Sequence, residues 1–327
     1  MNVLVTGGAG YIGAVVSHEL LKAGHSVVVY DNLSHGHRGA VPSSAEFIAG
    51  EISDGDKLAQ IFQTRRIEAV LHFAALIEAG ESMKTPEVYF RNNSASALAV
   101  LEAMLRTGVK KMVFSSTAAL YGEPQAVPIQ ESADLKPSNV YGESKLLVER
   151  MLSWFQKIHG FRYASLRYFN AAGATSEIGE DHQPESHLIP LILQAASGKR
   201  DRIAIYGTDY PTEDGTCVRD YIHVLDLASA HLLALDALAL HQQLIYNLGN
   251  GRGFTVRQVI DVARRVTGQP IAATEEPRRP GDPAVLVASS DKIQQELGWR
   301  PQHRELDSIV SSAWEWRRIH PQGYGPA

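Results

Sequence analysis

The feature that most constrains the fold is Gly7-Gly8-Ala9-Gly10-Tyr11-Ile12-Gly13, set between an apolar run and an amphipathic one. Val3–Thr6 predicts a short buried strand. Ile12, Val15, Val16 and Leu20 then recur at helical spacing until Gly24 stops them. Glycines at such a junction permit a tight turn and let the helix pack close to the strand. A strand, a glycine turn and a helix make a βα unit, and its next strand returns parallel to the first through a right-handed crossover. Ser26–Tyr30 is that next strand, ending in Asp31-Asn32. Ala69–Phe73, Lys111–Ser115 and Phe161–Tyr168 extend the series. Long helices are predicted over Pro86–Arg106 and from near Tyr141 to about His159. The alternation predicts an α/β protein with a doubly wound parallel Rossmann sheet covered on both faces.

Beyond Asn170 the alternation loosens. Gly, Pro, Asp and Glu gather over 173–186 and 207–216, which read as long loops over a ligand site. Asp226–Leu240 reads as a helix, Ile245–Leu248 as a strand placed to rejoin the first sheet, and Thr255–Thr267 and Glu305–Arg318 as helices of a smaller lobe. The expected division is a dinucleotide-binding Rossmann domain over 1–172, rejoined by about 222–250, and a smaller mixed α/β substrate domain over 173–327. The tail from Pro321 is expected to be poorly ordered.

The composition narrows the partners. A net charge of −5 argues against nucleic acid, and an anionic substrate would need local arginines to hold it. Cys217 is the only cysteine, so no intramolecular disulfide forms. With no HExxH among the thirteen histidines, no metal is expected. No uncharged apolar run approaches the ~18 residues of a membrane span. A cytoplasmic protein with no membrane partner is the expectation.

The glycine turn is suited to a dinucleotide. Gly7, Gly10 and Gly13 let the backbone approach a pyrophosphate, whose charge the helix N-terminus favours. Asp31 closes the second strand about 20 residues later, where an acid binds the adenosine ribose and repels a 2′-phosphate, so NAD is expected rather than NADP. An aspartate at a strand end also serves ordinary turns. Glu51-Ile52 are placed to flank the adenine, and Phe73-Ala74-Ala75 to supply small groups against the dinucleotide. Ser115, Ser116 and Thr117 end the fifth strand at the sheet edge where doubly wound folds bind ligands. Tyr141 and Lys145 share one helical face. A free tyrosine titrates near ~10. The Lys145 ammonium and a nicotinamide cation would both favour the phenolate, making Tyr141 a base for alcohol oxidation. A surface Tyr/Lys pair is the competing reading.

These residues together resemble the UDP-glucose 4-epimerases among the extended short-chain dehydrogenases. The resemblance is carried by Val5-Thr-Gly-Gly-Ala-Gly-Tyr-Ile-Gly13, His72-Phe-Ala, Phe114-Ser-Ser-Thr-Ala118, Tyr141-Gly-Glu-Ser-Lys145 and Leu166-Arg-Tyr-Phe-Asn170. The most specific stretch is Asp209-Tyr-Pro-Thr-Glu-Asp-Gly-Thr-Cys-Val-Arg-Asp-Tyr-Ile-His223. It implies reversible epimerisation of UDP-galactose and UDP-glucose at C4 through a 4-keto sugar, with tightly bound NAD as hydride shuttle. Tyr141 would be the base and then the acid, Lys145 would tune it and bind ribose, and Thr117 would assist the proton transfer. Tyr11, Ile12, Asn32, Asn92, Ser115 and Tyr168 match cofactor-proximal positions. Asn170, His187, Leu188, Tyr206, Arg219, Arg279 and Asp282 match the UDP-binding positions, and a homodimer on the two long helices is implied. Arg219 and Arg279 have the right chemistry for a diphosphate, though each fits a solvated surface arginine equally well.

Four positions depart from the family pattern. Glu51 replaces an aspartate, Ile77 a lysine near the cofactor, and His187 an asparagine at the sugar site. Leu286, intermediate in size at a position linked to acceptance of N-acetylated sugars, predicts preference for UDP-glucose and UDP-galactose; an epimerase of UDP-N-acetylhexosamines or UDP-pentoses is the alternative. A 4,6-dehydratase would need an acid/base pair after Thr117, where Ala118-Ala119 stand. A dehydrogenase with exchangeable NAD and a silent NAD-sensing protein would also use such a dinucleotide site. Retention of Thr117, Tyr141 and Lys145 argues against the silent protein.

Overall fold

The structure is a computed structural model that describes residues 1–279 and 282–325. Its strands are β1 (Asn2–Thr6), β2 (Ser26–Asp31), β3 (Glu46–Ala49), β4 (Ala69–His72), β5 (Lys111–Thr117), β6 (Arg162–Tyr168) and β7 (Asn170–Ala172). They continue with β8 (Ile203–Tyr206), β9 (Val218–His223), β10 (Gln243–Leu248), β11 (Gly253–Thr255), β12 (Ala273–Glu276) and β13 (Val285–Leu286).

A seven-stranded sheet runs in the order β10-β6-β5-β4-β1-β2-β3, with every neighbouring pair parallel. This is the predicted doubly wound α/β architecture. The chain starts in mid-sheet, winds outward to β3, then returns across β1 to β4 and winds the other way. That reversal leaves a crevice beyond the carboxyl ends of β1 and β4. Because side chains alternate across a strand, both faces of these strands must be apolar. Val3, Val5 and Leu71 pack under the Tyr11–Lys22 and Val224–Ala237 helices. Leu4, Val70 and Phe114 pack under the Gly55–Thr64, Ser96–Thr107 and Val140–His159 helices.

A smaller set of strands stands apart. β9 pairs with β7 and β13 in parallel and with β11 antiparallel, while β8 pairs with β12. Ile189, Ile192, Ile205, Val259 and Ile309 form a core there. The segments 173–186 and 207–216 contain neither helix nor strand.

Two expectations need correction. The helix predicted over Pro86–Arg106 is not uniform: Pro86–Tyr89 is α-helical, Phe90–Ala95 is a π-turn, and Ser96–Thr107 resumes the α-helix. Polar demands inside that turn explain it. Asn93 accepts from the Leu76 N–H at 2.8 Å and donates to the Leu76 carbonyl at 2.9 Å and to Ser144 Oγ at 3.0 Å. Ser94 donates to the Ser144 carbonyl at 2.9 Å. Widened turns of this kind often carry function. The tail is also ordered as far as Gly325. Tyr324 stacks on His37 at 5.1 Å, and its backbone N–H donates to Asp181 at 3.1 Å. One half-buried aromatic anchor is enough to hold a short segment. Pro326 and Ala327 lie outside the described residues.

Candidate active site

The glycine turn after β1 is built by contact rather than by composition alone. Gly7 has φ +71°, and a Cβ there would lie 2.5 Å from the Ala74 nitrogen at the end of β4. A Cβ on Gly13 would collide with the Gly7 carbonyl. The Tyr11–Lys22 helix therefore begins directly against the turn. No side chain caps it at Gly10, so its first N–H groups remain available to an anion. Asp31 ends β2 beside this turn, accepting from the Ala9 N–H at 3.0 Å and the Leu33 N–H at 2.8 Å. Burial pushes its carboxyl up, against the pull of those two bonds. Asn32 donates to Glu51 at 3.1 Å, which fixes both side chains at one edge of the crevice.

β5 carries Ser115 and Thr117 to the same edge. The Val140–His159 helix starts there because the Asn139 side chain accepts from the Gly142 N–H at 2.8 Å. That cap places Tyr141 and Lys145 in the first two turns. Lys145 Nζ donates to the Ser115 carbonyl at 2.9 Å and lies 5.0 Å above the Phe114 ring. The Ser115 and Tyr168 hydroxyls are hydrogen-bonded to each other.

The electrostatics differ from the expectation that Lys145 depresses the Tyr141 phenol. Burial pushes the phenol up to about 12, with Thr117 pulling it down and Glu78 adding to the rise. Burial also brings the Lys145 ammonium down to about 7, and its proton is directed at a carbonyl. Desolvation, with Glu78, outweighs the pull of Thr117 on the phenol. The chain by itself keeps Tyr141 protonated.

Every residue assigned above to the cofactor lines one cleft of about 330 Å³, within the range of small-molecule sites. Thr117, Asn170 and His187 line it too. The other predicted substrate residues do not border this cleft and gather on the smaller lobe. Arg219 Nη2 lies 3.5 Å from the Asp282 carboxylate, and Nη1 donates to the Val218 and Pro283 carbonyls at 2.9 Å. The Arg279 guanidinium stacks 3.9 Å over the Tyr206 ring. Leu286 is in register with Arg219 across the β9–β13 pair. Leu188 opens the Leu188–Ala196 helix. Asn170 ties the two groups together, donating to the Asp220 carbonyl next to Arg219 at 2.8 Å.

The structure also brings in residues that the sequence reading missed. Ile77, noted above only as a departure, lines the cleft with Glu78, Glu180 and His182. The side-chain ligand atoms of Glu180, His182, Glu185 and His187 lie within 4.8 Å of one another. Burial works to raise the Glu180 carboxyl, but His187 and His182 hold it down at about 2. Burial likewise opposes the His187 cation, yet Glu180 and Glu185 lift its pKa well above the usual imidazole value. The spacing Glu-x-His-x-x-Glu-x-His was visible, but it has no helical or strand period to signal convergence.

Residues 3–249 match the NAD dependent epimerase/dehydratase family. The chain is 54% identical to the UDP-glucose 4-epimerase of Halalkalibacterium halodurans, over 99% of this chain and 98% of that protein. It superposes on the UDP-glucose 4-epimerase from Brucella ovis in complex with NAD at a TM-score of 0.93, with 43% identity over 96% of this chain and 97% of that one. The Bifidobacterium longum UDP-glucose 4-epimerase in complex with NAD+ and UDP gives a TM-score of 0.94, with 36% identity over 99% and 100% of the two chains.

Proposed function

The chain belongs to the UDP-glucose 4-epimerases of the NAD-dependent epimerase/dehydratase family, and on that premise we propose that it interconverts UDP-galactose and UDP-glucose through a transient 4-keto sugar. The observation that carries this reading is the convergence of Thr117, Tyr141 and Lys145 on the cleft that the glycine turn opens.

The cleft suits NAD on structural grounds. Side chains on Gly7 or Gly13 would fill the turn, the uncapped helix N–H groups would suit a pyrophosphate, and the Asp31 carboxylate at the end of the second strand would suit ribose hydroxyls. When bound, NAD supplies a hydride acceptor that later returns the hydride to the opposite sugar face. The protein's task is then proton management. Tyr141 takes the proton of the C4 hydroxyl and gives it back. Lys145, fixed by the Ser115 carbonyl, holds the phenol and the nicotinamide ribose in place. Thr117 orients the reacting oxygen, its Oγ1 held by the Ala119 N–H at 3.1 Å. His187 and Asn170 meet the sugar. Leu188, Tyr206, Arg219, Arg279 and Asp282 serve the UDP, for which two guanidinium groups provide charge and bidentate donors.

A homodimer is supported by large apolar side chains left exposed on and beside the Val140–His159 helix. Trp154 and Ile158, one helical turn apart, are 62% and 67% exposed. Met83 follows the short helix Ala79–Ser82, which packs against the same long helix, and is 60% exposed. No helix among the described residues is long and apolar enough to cross a membrane. A cytoplasmic setting without nucleic-acid partners completes the reading.

The substrate assignment is tested by incubating the purified protein with UDP-hexoses, UDP-N-acetylhexosamines and UDP-pentoses and separating products by chromatography. Preferred turnover of UDP-galactose and UDP-glucose supports it. Preference for an N-acetylated sugar or a pentose would displace it.

A further inference from the structure

The wall of the cleft contains a group of side chains for which the epimerase reaction has no use as a set. Glu180, His182, Glu185 and His187 project from one loop, and their ligand atoms converge within 4.8 Å. His187 Nδ1 is 2.7 Å from Glu180 Oε1 and 3.3 Å from Glu185 Oε1, and His182 Nδ1 is 3.2 Å from the same Glu180 oxygen. In a tetrahedral zinc site with bonds of about 2.0–2.2 Å, neighbouring ligand atoms stand roughly 3.3 Å apart. Two of the three measured separations, 3.2 Å and 3.3 Å, match that value, while His187 and Glu180, at 2.7 Å, stand closer and would part to admit an ion.

The contacts are close but poorly directed. Neither His182 Nδ1 nor His187 Nδ1 makes a hydrogen bond of acceptable geometry, although both atoms are buried. Glu185 is the clearest case. Its side chain is only 4% exposed, its Oε1 accepts from the Ser186 and His187 N–H groups at 2.8 Å, and its Oε2 is buried without a partner. An unpartnered buried carboxylate oxygen beside two unpartnered ring nitrogens calls for a shared cation. Two carboxylates need two positive charges. Two imidazolium protons could provide them, and so could one divalent ion between neutral imidazoles.

The loop is also held rigidly from behind. His37 Nε2 lies 2.7 Å from the Asp181 carbonyl oxygen, Tyr324 N–H donates to the Asp181 carboxylate at 3.1 Å, and Arg317 lies 3.8 Å from it. These contacts anchor the loop at Asp181, between two of the four side chains. Access exists from the cleft, which Glu180, His182 and His187 line, and from a second polar cavity bordered by His182 and Glu185.

We propose that Glu180, His182, Glu185 and His187 form a binding site for a first-row divalent transition-metal ion, with zinc the best match to two imidazoles and two carboxylates. Filling it draws His187 onto the metal and remodels the wall that meets the sugar nucleotide.

The test uses the holoenzyme after dialysis against a chelator. Cobalt(II) is titrated in and followed by its visible absorption, then displaced with zinc. The expected result is one saturable equivalent with the spectrum of a nitrogen- and oxygen-ligated site, and a zinc-dependent rise in melting temperature. Loss of one ligand in His182→Ala or Glu185→Gln should weaken binding by about tenfold or more and reduce the thermal shift at a fixed zinc concentration. No saturable cobalt spectrum, or equal binding in wild type and both variants, would overturn the proposal. If His182→Ala does not fold, Glu185→Gln decides alone, since it preserves the shape of the side chain. The spectral readout does not depend on turnover, so failure here would leave the epimerase reading intact.

Discussion

Tyr141 is the residue on which the chemistry turns, and its environment states the problem the enzyme has to solve. The phenol is held up at about 12 by burial, and Lys145 is brought down to about 7 by the same cause. A nicotinamide cation beside the phenol would favour the phenolate, so the deprotonated fraction of Tyr141 is expected to rise when the oxidised dinucleotide is bound. Tyr141→Phe should lower kcat by about 10²–10⁴-fold, the usual worth of a general acid–base group. Bound NAD, measured after denaturing the purified protein, should stay at wild-type content. A fall in NAD content parallel to kcat would instead assign Tyr141 a cofactor-holding role. At this scale most of the site was legible, because glycine spacing and an i, i+4 pair are local patterns. Glu78 and the Glu180–His187 group were not, since their convergence depends on how a loop closes over the sheet.

Among the elements, the best-defined polar join is between the Val140–His159 helix and β6. Glu149 meets Arg167 through two hydrogen bonds, at 2.6 Å and 3.0 Å, with exposures of 6% and 3%, and also accepts from Ser116 Oγ at 2.6 Å. The join sets the helix carrying Tyr141 and Lys145 against the strand edge carrying Thr117. Glu149→Ala should cost about 3–5 kcal/mol in urea unfolding, because it strands a buried guanidinium. A paired apolar replacement of Glu149 and Arg167 should recover most of that loss. Unrecovered stability in the pair would mean the network contributes more than charge compensation. The sheet strands were readable from apolar runs bounded by turns. Short β8, β11, β12 and β13 were not, because strands of two to four residues owe their pairing to the lobe around them. The π-turn was hidden as well, since Asn93 and Ser94 reveal their partners only after folding.

For the molecule as a whole, acid sensitivity follows from histidines kept neutral by burial. His72 and His223 are pushed down to about 3, each by burial first, and His231 to about 4 by burial against a hydrogen bond to the Leu227 carbonyl. An unfolded histidine binds its proton near ~6.5, whereas these folded ones do not until a lower pH. The unfolded state then holds more protons between those values, so stability falls as pH drops from about 6.5 toward 4. His231→Leu should flatten that slope in melting experiments across the window, and an unchanged slope would rule out His231 as a contributor. Association belongs to this scale too. Trp154→Glu should convert a dimer into a monomer by light scattering, and a wild-type mass that is already monomeric would contradict the proposed interface. Captive-cofactor epimerisation is tested by incubating purified protein with UDP-galactose and no added cofactor. UDP-glucose is expected at many turnovers per chain with no net reduced nicotinamide. Dependence on added NAD, or reduced cofactor accumulating in step with product, would contradict it.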